Sequence, residues 1–211
     1  LPYEEWFLDN GVVNLGKLPP QGVFYNRMSA SSHTRGHVYG PELAASVLTW
    51  LEYHDRRVLN GSRALQLEVS KVEQAMTMAK YGIRTPYTIA VVGAEQLVDA
   101  ARVFEGRRFI TKHNRAGKGL GVRLFHSTKA LSDFVHSDEI ELSRDGVTLL
   151  QEYIESPEKI ITRVEFIGGR FTYAVRVDTS NGFELCPADA CQIGDLNCPV
   201  GSQAARPGFE I

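Results

Sequence analysis

Within ten residues, Lys112 to Gly121, the chain concentrates the groups needed to hold an anion. Glycines at alternate positions, Gly117, Gly119 and Gly121, free backbone N–H groups to approach a phosphate, while Arg115 and Lys118 add positive charge. Lys112 sits in an apolar run before the loop, in phase with Ile110, and can anchor a phosphate from below. A polar glycine hairpin with no ligand fits the same pattern. The loop is not a G-x-x-x-x-G-K-[ST] phosphate loop, and no His-Arg-Asp or Asp-Phe-Gly occurs in the chain, so a protein-kinase site is excluded. Lys71 is a second cation of interest. It follows Ser70 in a capping-box spacing, Ser70-x-x-Glu73, where a positive charge opposes the helix dipole and does not stabilise the helix.

These residues need elements to position them. Residues 23–28 read as a short strand followed by a Ser- and His-containing loop, Ser29 to Gly40, which leaves the carboxyl end of a strand and so borders a cleft. A helix starts at Pro41 with Leu43, Val47, Trp50 and Leu51 on one face, and Arg57–Leu59 is a strand, giving a parallel α/β rhythm. A second helix follows Ser70, with Val72, Ala75, Met76 and Ala79 on one side and Gly82 at its end. Strands are expected at 87–92, 108–113, 122–125 and 147–154, with helices at 94–104, carrying Leu97, Ala101 and Phe104, and 127–135, carrying Ala130, Leu131 and Phe134.

Strands 160–167 and 170–178 form a hairpin through Gly168-Gly169. With Ile167 opposite Arg170, the apolar face is Val164, Phe166, Phe171, Tyr173, Val175 and Val177. The other face carries Arg163, Glu165, Arg170, Thr172, Arg176 and Asp178. Arg163 then faces Ala174 and lies diagonally from Arg176, roughly 7 to 8 Å away between backbones. Two like charges so placed need a neutralising partner, either Glu165 or a bound phosphate or carboxylate.

The chain has 211 residues, about one and a half typical domains of roughly 150. With 43% hydrophobic residues it can bury a sizeable core, and with 23 Lys plus Arg against 25 Asp plus Glu its net charge of −2 removes the bulk electrostatic case for nucleic acid or anionic membrane. No apolar run approaches the roughly 18 residues of a membrane span, and there is no signal-peptide pattern or internal repeat. Three cysteines, Cys186, Cys191 and Cys198, are an odd number with no recognised zinc spacing, although Asp189 or Asp195 lies nearby, and they fit a reducing compartment, hence the cytoplasm.

The order of Lys71, Lys112, the glycine loop, Gln151-Glu152-Tyr153-Ile154 and a paired-strand sheet with arginines resembles the ATP-grasp superfamily of carboxylate–amine ligases, nearest to glutamate-adding and glutathione-synthetase-like members. Arg108 to Val122 and Gln151 to Ile154 carry the likeness most specifically. The resemblance implies an incomplete ATP-grasp fold of mixed α/β and α+β class. Its parts would be the tail of an N-terminal α/β domain (1–81), a flap subdomain with the glycine loop (82–152) and the start of a C-terminal sheet subdomain (153–211), with the chain cut at both ends.

The resemblance also implies site roles. Lys71 and Lys112 bind the phosphates of ATP, and Arg115, Gly117, Lys118, Gly119 and Gly121 close over them. Gln151, Glu152, Tyr153 and Ile154 hold adenine at the hinge, and Arg163 and Arg176 serve the transferred phosphate. A carboxylate substrate and an amine acceptor, an amino acid, peptide or protein, are the implied partners. Ile161 stands where the family carries an acidic residue, leaving Glu158 as a substitute ribose contact, and the family's Arg-Ser-Asn segment finds no match near Glu184 to Cys186. The Mg2+ ligands of the family come from a later strand, so they are expected outside this chain. A non-catalytic nucleotide- or peptide-binding module, or a phosphotransferase on the same scaffold, are the alternatives.

Overall fold

A computed structural model describes residues 2–8, 12–117, 119, 121–179 and 209–210. The architecture is mixed α/β, with a two-stranded, a four-stranded and a three-stranded sheet. In the first, β1 (Val23–Tyr25) pairs in parallel with β2 (Arg57–Leu59). Parallel neighbours need a crossover, and α1 (Gly40–Tyr53), with Pro41 in its first turn, supplies it. The buried stripe of α1 is Ala44, Val47, Leu48 and Leu51, whereas Leu43 is exposed. The stripe is turned from the expected one because small Ala44 lies against α2 (Ser62–Val69), a helix that its short, charged sequence did not reveal. Ala44, Leu48 and Leu65 form this small core, with Leu8, Met28, Val58 and Val69 packed on it.

α3 (Lys71–Lys80) begins as the capping box predicts, the Glu73 N–H donating to Ser70 Oγ at 3.2 Å, and Gly82 follows at φ +69°. None of its residues is fully buried, and Met76 is exposed, so its expected apolar face is not core.

The four-stranded sheet has the order β3 (Thr88–Val92), β6 (Val147–Glu152), β4 (Phe109–His113), β5 (Arg123–Phe125), all antiparallel. α4 (Ala94–Ala100), a 3-10 turn (Ala101–Phe104) and α5 (Thr128–Val135) cover one face. Their Leu97, Ala101, Phe104, Leu131 and Val135 meet Val91, Phe109, Phe125 and Leu150 of the strands. Phe109 stacks between Phe104 and Phe125, with ring centres 5.3 and 5.7 Å away. Strand alternation therefore sends Thr88, Ala90, Ile110, Lys112, Leu149 and Gln151 to the opposite face, as the pairings Thr88–Gln151, Ile110–Gln151 and Lys112–Leu149 require.

β7 (Ile160–Ile167) and β8 (Arg170–Asp178) turn through Gly168 at φ +59° and Gly169 at φ +75°, the conformation of a type I′ turn, and β9 (Phe209–Glu210) pairs with β8. The register starts as expected at Ile167–Arg170, but an irregularity between Glu165 and Phe166 shifts it by one residue. Arg163 then pairs with Val175, not Ala174, and Arg176 with Thr162. Because a single-residue slip reverses faces, Arg163 and Arg176 point to opposite sides of the hairpin, and the expected diagonal pair does not form. The same slip splits the expected apolar face: Tyr173 and Val175 share a side with Arg163 and Glu165, and Val164 shares one with Arg176. Among the described residues no helix is long and apolar enough to cross a membrane. The three cysteines lie outside the described residues.

Candidate functional site

On the face of the four-stranded sheet opposite α4 and α5, the Lys112 ammonium donates to Gln151 Oε1 at 2.9 Å, and Gln151 Nε2 donates to Thr88 Oγ1 at 2.6 Å. Lys112, Gln151 and Thr88 thus form one polar row across β4, β6 and β3. Lys71 reaches the same region from α3. Its ammonium donates to the Asn114 carbonyl at 3.2 Å and to the Ala116 carbonyl. Asn114 is buried and explains how α3 is docked there: its Oδ1 accepts the Val72 N–H at 2.9 Å, filling an otherwise unpaired donor of the first turn.

Burial, reinforced by the neighbouring Lys112 charge, lowers the Lys71 pKa to about 8, against the opposing pull of Glu68 and Asp145. Burial also holds Lys112 below the ordinary lysine range. Among the described residues neither ammonium has a carboxylate within salt-bridge distance. Each ammonium has three N–H donors. Two of Lys71's and one of Lys112's are used within the chain, so three remain for an anion.

The glycine loop differs from expectation at its root. Arg115 was expected to face phosphate, but its side chain is buried and forks onto both carboxylate oxygens of Glu42 in α1, with Nη2–Oε2 at 3.3 Å. Nη2 also donates to the Val38 carbonyl at 3.2 Å. Gly117 lies beside Ser31, so the Ser29–His37 loop borders the glycine loop. Gly121, at φ +72°, sits against the His113 ring, where a β-carbon would come within 2.9 Å. Gly119 also has a positive φ, +84°, and Lys118 lies outside the described residues. His33 in the bordering loop is held below its usual pKa by burial and by Arg144, Arg115 and His113.

At the hinge, the Glu152 N–H donates to the Tyr87 carbonyl at 3.0 Å, and its carboxylate accepts the Tyr87 N–H at 2.9 Å. The Tyr153 N–H donates to the Arg108 carbonyl at 3.3 Å, while Ile154 follows the strand with its side chain exposed. Glu158 is brought to Arg176 at 2.7 Å, and Arg163 to Glu165 at 3.0 Å, so each of these two arginines is neutralised by its own carboxylate. Among the described residues no group of three or more His, Cys, Asp or Glu is placed to hold a metal. Sequence reasoning missed Asn114 and Glu42. Asn114 stood next to the motif, but Glu42, 73 residues from Arg115, carried no local signal.

No protein-family model matches the chain, and no curated protein matches it. Solved structures similar to it include D-alanine–D-alanine ligase from Helicobacter pylori, at 17% identity and TM-score 0.49, covering 78% of this chain and 47% of that one. A RimK domain protein described as ATP-grasp, from Sphaerobacter thermophilus, has 17% identity and TM-score 0.48, covering 76% and 69%. D-alanyl-alanine synthetase A from Vibrio cholerae has 13% identity and TM-score 0.46, covering 64% and 41%. The chain is thus similar to ligases of known structure, including an ATP-grasp protein, and spans about half the length of most of them.

Proposed function

We propose that the chain is the nucleotide-binding part of an ATP-dependent carboxylate–amine ligase of the ATP-grasp type. The observation that carries this reading is the pair Lys71 and Lys112, two partly buried ammonium groups with spare donors and no carboxylate counter-charge among the described residues. Desolvated like charges placed side by side are unfavourable for the fold unless an anion joins them, and a polyphosphate supplies that anion. The glycine loop follows directly from β4 and borders the pair, which supports its role as the flap over the phosphates. Adenine would lie at the end of β6, beside Ile154 and the Tyr153 ring, whose centre is 5.0 Å from the Arg108 guanidinium.

In this reading a carboxylate oxygen attacks the γ-phosphorus of ATP and the bond to the β-phosphate oxygen breaks, releasing ADP and leaving an acyl phosphate. An amine nitrogen then attacks the acyl carbon, expels phosphate and loses a proton to give an amide. The chain's residues contribute position and charge to this sequence and no side-chain nucleophile. Magnesium would supply charge neutralisation at the phosphates; among the described residues no group of three or more His, Cys, Asp or Glu is placed to hold it. The sequence likeness is nearest to glutamate-adding and glutathione-synthetase-like members and supports the three-part division at 81–82 and 152–153, and the odd cysteine count supports a cytoplasmic setting.

Titration of Mg-ATP into the chain, followed by an ADP-release assay with amino acids as paired carboxylate and amine, tests the proposal. Saturable binding is expected. Absence of binding overturns the nucleotide reading, and binding without ADP release under any pairing overturns ligase activity in this chain.

A further inference from the structure

Arg115 is the loop cation that sequence reasoning assigned to phosphate, and the structure gives its guanidinium another partner. The two carbonyls that hold the Lys71 ammonium, those of Asn114 and Ala116, belong to the residues on either side of Arg115. Where Arg115 is fixed, those carbonyls are fixed. Its side chain is fixed by Glu42 through a two-pronged fork and by the Val38 carbonyl, and its own N–H donates to Ser143 Oγ at 3.2 Å. A planar guanidinium gripping both carboxylate oxygens sets orientation as well as distance.

We infer that Arg115 is a positioning residue: held by Glu42 of α1, it sets the carbonyl cradle of Asn114 and Ala116 that holds the Lys71 ammonium near Lys112 of β4. The inference rests on the reading of Lys71 as a phosphate contact. It makes nucleotide affinity depend on Glu42, a residue in α1 whose carboxylate is bound to Arg115 and not to the sheet face. The cradle is also what keeps Lys71 in its desolvated setting, facing Lys112 of β4, Glu68 of α2 and Asp145 before β6. Without the Glu42 fork, Arg115 leaves its buried place, the two carbonyls move with it, and Lys71 turns toward water.

The test is Glu42→Ala in the full chain, with Arg115→Lys as a second variant that keeps the charge and loses the fork. Two quantities are read: the Kd for Mg-ATP, and the pH titration of the Lys71 side chain by the 13Cε shift of labelled lysine, which needs no nucleotide. Glu42→Ala and Arg115→Lys are each expected to weaken ATP binding five- to tenfold and to move the Lys71 midpoint upward from about 8 toward 10.5. A Lys71 midpoint unchanged in both folded variants overturns the inference, whatever the Kd does. If the midpoint moves as expected while wild-type chain fails to bind ATP, the cradle stands and the nucleotide reading alone is lost.

Discussion

Lys71 holds a charge that the fold disfavours. Its pKa falls from 10.5 to about 8, chiefly through burial, which corresponds to about 3 kcal/mol of destabilisation at neutral pH, or about 1 to 2 kcal/mol after screening by solvent. The sign follows from proton counting. Between pH 8 and 10.5 the unfolded chain keeps a proton that the folded chain has lost, so stability from this residue rises with pH through that window and is lowest below it. Lys71→Met is therefore expected to raise stability at pH 7 by about 1 to 2 kcal/mol, with the gain shrinking as pH approaches 10. Denaturant melts at pH 7 and pH 9.5 check this, and a lower midpoint at pH 7 would show that the ammonium stabilises the fold. Because ATP affinity should also fall in this variant, the residue would join loss of function to gain of stability, the pattern of a site selected for binding.

At the scale of elements, most of the site's framework was legible because it rests on local rules. The Ser70 cap, the Gly168-Gly169 turn and the alternation that puts Lys112 beside Ile110 and opposite Phe109 are all short-range consequences of residue type. The parts that escaped are long-range or irregular. α2 is only eight residues long, too short to show a helical period, and the slip at Glu165 that separates Arg163 from Arg176 leaves no mark in composition. Arg115 went astray for a similar reason, since its partner Glu42 lies on a different element.

The glycine loop gives the sharpest element-level test. Gly121 combines a left-handed backbone with a close approach to His113. Gly121→Ala is expected to lower stability by about 1 to 3 kcal/mol and to disturb the β4–β5 connection. Tm measurements check the first, and an unchanged Tm would show that the loop accommodates the methyl group without strain.

For the molecule as a whole, two apolar cores are separate, one around Leu48 and Leu65 and one around Phe109 and Leu150. The contacts that tie the glycine loop to the first unit are polar: Lys71 to the carbonyls of Asn114 and Ala116, and Arg115 to Glu42. Polar ties of this kind permit the units to unfold separately. Leu65→Ala is expected to lower amide protection in α1 and α2 while leaving β4 and β6 protected, as read by hydrogen exchange; equal loss in both would show a single cooperative unit. The proposed phosphate site sits at these ties, so ATP binding there would depend on both units. The measurement that bears most directly on it is calorimetric titration of Mg-ATP into the wild-type chain and into Lys112→Ala. The account expects saturable wild-type binding and a Kd at least tenfold weaker in the variant; an equal Kd in the two proteins would contradict it.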